Sequence, residues 1–178
     1  LKPIAVELVD STMLGLAAEI PIFKPTVNAV IRGEPEAILV VEFAESEDEN
    51  RRRVRQLGQL MGDLGFGWDR ERKKWGGVVE VFDPAVQTAI AEMRASGLNM
   101  MSMKEARKPV SFVEDCAVPL VHLADYTSRL TEVFEKNGTK GTWYAHASEG
   151  CLHVRPVLNL KLDKDVKAMR AIAEEAFA

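Results

Sequence analysis

Two rhythms of apolar and polar positions divide this chain. From Ile4 to Ile20, Val6, Val9, Met13, Leu16 and Ala17 recur at loose helical spacing and Pro21 closes the run, predicting an N-terminal helix. The stretch from there to Glu34 has no decisive pattern. Ala37–Ala44, AILVVEFA, is a short apolar run between Pro35 and a polar cluster, which predicts a buried strand. Ser46 then precedes Glu47, Asp48 and Glu49, an acidic first turn suited to a helix N-terminus. Val54, Leu57, Leu60, Met61 and Leu64 form one apolar stripe along that helix, and Gly65 ends it.

Further on, Val78–Phe82 predicts a strand, and Asp83-Pro84 an N-cap with proline at the first helical position. Val86, Ala89, Ile90 and Met93 mark the helix, with Gly97 as its stop and Leu98–Met103 as a methionine-rich connector. Val110–Val118 reads as a strand. Pro119 opens the strongest helix, with Leu123, Tyr126, Leu130, Val133 and Phe134 on one face and Asn137-Gly138 at its end. Thr142–Ser148 and Cys151–Leu158 predict a hairpin, and Leu162–Phe177 a last helix. Alternating strands and helices could describe a parallel doubly wound sheet. The absence of a glycine-rich strand-to-helix turn and the terminal hairpin favour an α+β fold: a ferredoxin-like antiparallel sheet with helices packed on one face.

Composition narrows the function. Of the 178 residues, 47% are apolar and 28% charged, the balance of a folded domain able to bury one core. A net charge of −4 gives no basic surplus for nucleic acid. The longest apolar runs fall far short of the roughly 20 residues of a membrane helix. Two cysteines, Cys116 and Cys151, make no disulfide framework and suit a reducing, cytoplasmic setting. The chain opens Leu-Lys-Pro without an initiator Met and stops at Ala178 inside a helical pattern. The expectation is one domain, residues 1–178, taken from a longer protein.

Candidate chemistry concentrates in YAHASEGCLHVRP, Tyr144–Pro156, which holds two of the three histidines. With Glu149-Gly150 as a two-residue turn, His146 faces His153 and Ala147 faces Leu152. Opposed residues hold their Cβ atoms about 4.5–5.5 Å apart, close enough for two imidazoles to share a metal ion. Alternation adds Tyr144 and Arg155 to that face and sends Ala145, Ala147, Leu152 and Val154 into the core. A slip of one residue would separate the histidines. Metal binding calls for a third ligand, and Glu149, Cys151, Glu114 and Asp115 are the candidates. Arg155 could grip a carboxylate through its planar fork. The competing reading is a solvated hairpin with ordinary surface histidines.

AHASEGCLH resembles the GH-x-GDGN-x-H element in the C-terminal domain of FAD-linked oxidases of the vanillyl-alcohol oxidase type. HVRP after the second histidine, with PVSFVEDCAVP upstream, is most similar to the D-2-hydroxyglutarate dehydrogenase branch among relatives that include glycolate oxidase subunits and D-lactate dehydrogenases. The resemblance implies a substrate or cap domain, with a flavin-binding domain before residue 1 in the same full-length chain. It implies FAD, a divalent metal with zinc the first choice, and an iron–sulfur region elsewhere in the full protein. The implied partner is a small-molecule 2-hydroxy acid, with no nucleic acid and room for a homodimer. His146 and His153 match the family's metal-binding and catalytic pair. Arg94 in AEMRASG matches a carboxylate-gripping arginine, and Lys108 a substrate-binding lysine; Arg155 and Tyr144 join them on the substrate side. Departures are plain as well. The family's Asp-Gly-Asn is here Glu149-Gly150-Cys151, and its third ligand, a glutamate in a GEHG element, would fall after Ala178. The resemblance therefore implies an inactive fragment that binds metal weakly.

Other features have plainer readings. Arg94 near a helix end could satisfy C-terminal carbonyls. His122 beside apolar positions is a packing or surface histidine. Cys116 reads as a small buried hydrophobe. Arg51, Arg52, Arg53 and Arg55, with the run Asp69–Lys74, interleave with acids and read as a solvated face. Met100, Met101 and Met103 suit an adaptable lid or a core plug. Glu114 and Asp115, adjacent on a strand, should point to opposite faces and not act together. A non-catalytic ferredoxin-like binding module and a free-standing metal-dependent hydrolase remain as alternatives.

Overall fold

The structure, a computed structural model, describes residues 1–67, 77–100 and 106–178, with only the backbone at 97–100. Asp69–Lys74, Met101 and Met103 lie outside the described residues, as does the side chain of Met100.

The first correction falls at the N-terminus. Ala5–Asp10 is a strand, β1, and only Ser11–Glu19 is helical, α1. Asp10 decides the boundary: it is extended, and its Oδ1 accepts the Met13 N–H at 2.9 Å as an N-cap. The AVELVD run fits both periods, and pairing on both sides selects the strand. The undecided stretch supplies a short helix, α2, Lys24–Val30.

Ala37–Glu42 forms β2 as expected, but as an edge strand with no buried residue. Among the described residues it pairs on one side only, with β1. Ser46 caps α3, Glu47–Asp63, by accepting the Glu49 N–H. Gly65 follows at φ 84°, the left-handed region that suits glycine after a helix. No residue of α3 is buried, so its apolar stripe remains partly in solvent. Arg51, Arg52 and Arg53 pair with Glu47 and Glu49 one turn earlier, as a solvated face requires.

Val78–Phe82 is not a strand: among the described residues it enters no ladder. Phe82 instead lies under the Arg51 guanidinium, 4.2 Å from ring centroid to carbon, and Val81 O accepts from Gln87. A β-prone run without a pairing neighbour stays irregular. Asp83 caps α4, Pro84–Met100, through the Ala85 N–H. That helix continues through Gly97, so glycine did not stop it and the connector begins later than its composition suggests.

The predicted strand Val110–Val118 is shorter in the structure, β4, Val113–Ala117, and a two-residue strand, β3, Lys108–Pro109, precedes it. A 3-10 turn over Leu120–His122 leads into α5, Leu123–Lys136, which Gly138 closes at φ 67°. β5, Gly141–His146, and β6, Cys151–Leu158, form the hairpin, and α6 spans Asp163–Ala176.

The described strands form one antiparallel sheet, ordered β2-β1-β5-β6-β3, with β4 also on β6. The α+β class expected from the sequence is what the structure shows. One face carries Val113, Cys116, Ala145, Leu152 and Val154 and is closed by Leu130 and Phe134 of α5 and Ile172 of α6. Gly141 lets Phe134 sit there, since a Cβ would meet the ring at 2.5 Å. On the other face, Val9, Ile38 and Tyr144 are neighbours in register and pack with Met13 and Leu14 of α1. Met93 of α4 joins Ala17 and Val27 beside them. That second cluster brings α4 to the edge of the face where the histidines lie.

Candidate functional site

The hairpin pairs in a register different from the two-residue turn. His146 faces Cys151 and Tyr144 faces His153, so residues 147–150 form a four-residue loop. Ala147 is therefore in the loop and not in the core. Two features hold this loop. Ser148 exchanges hydrogen bonds with Val6, its N–H to Val6 O at 3.1 Å and its Oγ from Val6 N at 3.3 Å. Gly150 has φ 70°, and a Cβ there would lie 2.0 Å from Val118 O. The shift amounts to two residues on the partner strand. An even shift preserves the face, so Tyr144, His146, His153 and Arg155 still share one surface. Ala145, Leu152 and Val154 still point into the core.

Across this face the rings form a cluster. His146 and His153 meet edge to face, with centroids 5.2 Å apart at 86°. Tyr144 stacks on His153 at 5.5 Å and meets His146 edge-on at 5.8 Å.

Each imidazole is tied to a carboxylate through Nδ1. Glu7, opposite His146 in the β1–β5 ladder, reaches it at 2.8 and 3.0 Å. Glu7 is 8% exposed, and its Oε2 also pairs with Arg94 at 2.9 Å. Arg94 arrives from α4, donates to Tyr144 Oη at 2.9 Å and lies 3.6 Å from Glu42. Its Nε is buried and has no hydrogen-bond partner among the described residues. Arg94 thus enters the site already paired with a carboxylate, and among the described residues it serves no helix-end carbonyl.

His153 is supported from β4. Glu114 accepts from His153 Nδ1 at 3.1 Å and from Arg155 Nε at 2.6 Å, and Ser111 donates to it as well. Burial pushes the Glu114 carboxyl up. The hydrogen bonds from Ser111, Arg155 and His153 and the Arg155 charge outweigh it and hold the group below its ordinary value. Asp115 also reaches His153 Nδ1, at 3.3 Å. Adjacent strand residues cannot normally converge like this. Here the β4–β6 register shifts between Val113 and Cys116, and Asp115 adopts φ 53°. The bulge turns both carboxylates toward one histidine, which corrects the expectation that they point apart.

Since an ionised carboxylate only accepts, Nδ1 carries the hydrogen in both rings, and in the neutral ring Nε2 is left as a lone pair. This is the tautomer a metal ligand or a proton acceptor needs. Among the described residues, the group of three donors with ligand atoms within 4.8 Å of one another is Asp115, Cys151 and His153. Burial, then the charges of Asp115, Cys116 and Glu114, push the Cys151 thiol up. The donor set fits a divalent cation in kind: imidazole nitrogen, carboxylate oxygen and sulfur.

Lys108 stands apart from these residues. It pairs with Leu158, five residues along β6 from His153, about 17 Å at strand rise. His122 is exposed at the start of α5, and Cys116 is buried in the core. Sequence reasoning missed Glu7, although its alternation with Val9 was the signal once β1 is read as a strand. No helix among the described residues is long and apolar enough to cross a membrane.

Comparison with known proteins converges on one group. The profile of the family described as FAD linked oxidases, C-terminal domain, matches residues 1–178. The D-2-hydroxyglutarate dehydrogenase of Haemophilus influenzae is 30% identical over 175 residues, 97% of this chain and 17% of that protein. Those of Pantoea ananatis and Escherichia coli are 31% and 29% identical, each over 99% of this chain and 18% of their own length. The chain spans less than a fifth of the relatives it matches.

Proposed function

The chain belongs to the FAD-linked oxidase C-terminal domain family, and from that premise we propose that it is the substrate-binding cap of an FAD-dependent oxidoreductase acting on a D-2-hydroxy acid. 2-Hydroxyglutarate, lactate and glycolate are the substrate types, and the segment alone would be inactive. The carrying observation is the single face on which Tyr144, His146, His153 and Arg155 stand, backed by Glu7, Arg94 and Glu114.

A flavin-binding domain of the same full-length chain would hold the FAD, and no residue here is assigned to it. When bound, FAD would supply the hydride-accepting chemistry for oxidation of the hydroxyl-bearing carbon. His146 and His153 would hold a divalent metal, zinc by preference, through the Nε2 atoms that Glu7 and Glu114 leave available. When bound, the metal supplies Lewis-acid polarisation of the substrate hydroxyl.

The chain's own residues do the rest. An imidazole Nε2 not committed to the metal would take the hydroxyl proton, and its Nδ1–carboxylate bond would stabilise the imidazolium that forms. Arg155 engages Glu114 only through Nε among the described residues, so its terminal nitrogens remain to grip a substrate carboxylate. Arg94 orients the substrate from the other side and is itself held by Glu7 and Tyr144. Tyr144 covers the His153 ring and keeps bulk water from that side of it. No role in this arrangement is proposed for Lys108, which pairs with Leu158.

The test is dye reduction by the intact protein with D-2-hydroxyglutarate, D-lactate and glycolate, with and without His146→Ala. Removal of a general base predicts a loss of at least about 100-fold in kcat/KM. An intact, flavin-loaded protein that reduces dye with none of the three would sink the proposal and favour a non-catalytic binding module.

A further inference from the structure

We infer that the cation site on this face is completed within the chain, by the Cys151 thiolate and the Asp115 carboxylate converging on His153. The inference deepens the metal reading above and rests on it only in that this face binds a divalent cation.

Three donors from two strands meet here. Cys151 and His153 alternate along β6 and so share a face, while Asp115 belongs to β4, which pairs with β6. Regular alternation would turn Asp115 away from Glu114, and the bulge returns it, 3.3 Å from His153 Nδ1. One ligand atom from each of the three residues lies within 4.8 Å of the others. Three protein donors are what a catalytic zinc site uses, with a further position left open. A sulfur, a nitrogen and an oxygen favour zinc or cobalt over magnesium or calcium, which prefer all-oxygen surroundings.

Charge agrees with this assignment. Glu114 and Asp115 flank His153, and the only arginine paired with them among the described residues, Arg155, is engaged by Glu114. Cys151 is a free thiol. On binding, the Cys151 S–H proton passes to buffer as the sulfur–metal bond forms. The site then needs no glutamate from a GEHG element, and binding is not weak for want of a third ligand.

Cobalt(II) titration of the intact, metal-free, reduced protein tests this, because a thiolate ligand adds a near-ultraviolet charge-transfer band in difference spectra. The expected result is stoichiometric cobalt with that band. Cys151→Ser should abolish the band and Asp115→Asn should keep it, each weakening affinity by at least about tenfold. A band that survives Cys151→Ser overturns the inference, and so does the absence of cobalt binding. Cobalt bound without the band, and lost on His146→Ala, also overturns it and leaves the two-histidine reading standing. A band that persists unchanged in His146→Ala supports the inference and removes His146 from the ligand set.

Discussion

Behind His146 stands a closed support: Glu7 and Arg94 are both nearly buried, pair at 2.9 Å, and come from a regular ladder and a packed helix. Behind His153 stands an open one. Glu114 is partly exposed, Asp115 is 80% exposed at its side chain, and the strand that carries them is bulged. Two rings with the same tautomer are thus held by different means. Burial makes the first support stiff and costly to break. The second keeps extra donors and solvent access, which suits exchange of a ligand.

The largest expected effect comes from breaking the closed side. Glu7→Gln leaves Arg94 as a buried cation without its main partner and should cost about 3–5 kcal/mol in denaturant unfolding. Glu114→Gln, on the open side, should cost about 1 kcal/mol. Equal losses would erase the distinction between the two supports.

Next comes the loop that joins them. Gly150→Ala meets both a left-handed φ and the Val118 carbonyl, so a loss of about 2 kcal/mol or more is expected. Gly62→Ala, with nothing near its Cβ, is the control and should be neutral or slightly stabilising.

A smaller effect is readable in pH. Burial raises the Asp10 carboxyl against the hydrogen bonds it accepts from Met13 and Trp143. A native value above the unfolded one means that the native state binds the proton more tightly. Its contribution to stability is therefore fully present below the unfolded value of about 3.9 and is lost as pH rises through the raised native value. Unfolding measured across that range should show this contribution, and Asp10→Asn should remove it. An unchanged slope in the variant would place the titration elsewhere.

Least affected should be the solvated helix. Leu57→Ala on α3, where nothing is buried, should change stability by less than about 1 kcal/mol, against about 3–5 kcal/mol for Phe134→Ala in the core.

Legibility followed the range of the interactions involved. The caps at Ser46 and Asp83, the glycine ends at Gly65 and Gly138, and the amphipathic α5 were all readable, because each depends on residues within a turn or two. Phe134 and Val54 occupy similar stripes, yet only the first is buried. The stripe records what a helix could bury, and its neighbours decide whether it does. Val78–Phe82 failed as a strand for the same reason: it enters no ladder among the described residues. In the site, Tyr144, His146, His153 and Arg155 were legible because alternation tolerates an even shift in register. Glu7 was hidden by reading β1 as helix, and the convergence of Glu114 and Asp115 by assuming a regular strand.

By itself, then, the sequence determined the α+β class, the hairpin, the face that carries its polar side chains, and the family to which the chain belongs. Those follow from local period and turn chemistry, which a single segment contains. Tertiary structure alone decided which carboxylate backs each imidazole, that Arg94 reaches Tyr144 from a distant helix, and that a bulge brings Asp115 to His153. Each of these depends on the register and spacing between segments far apart in the chain, and no periodicity within one segment carries that information.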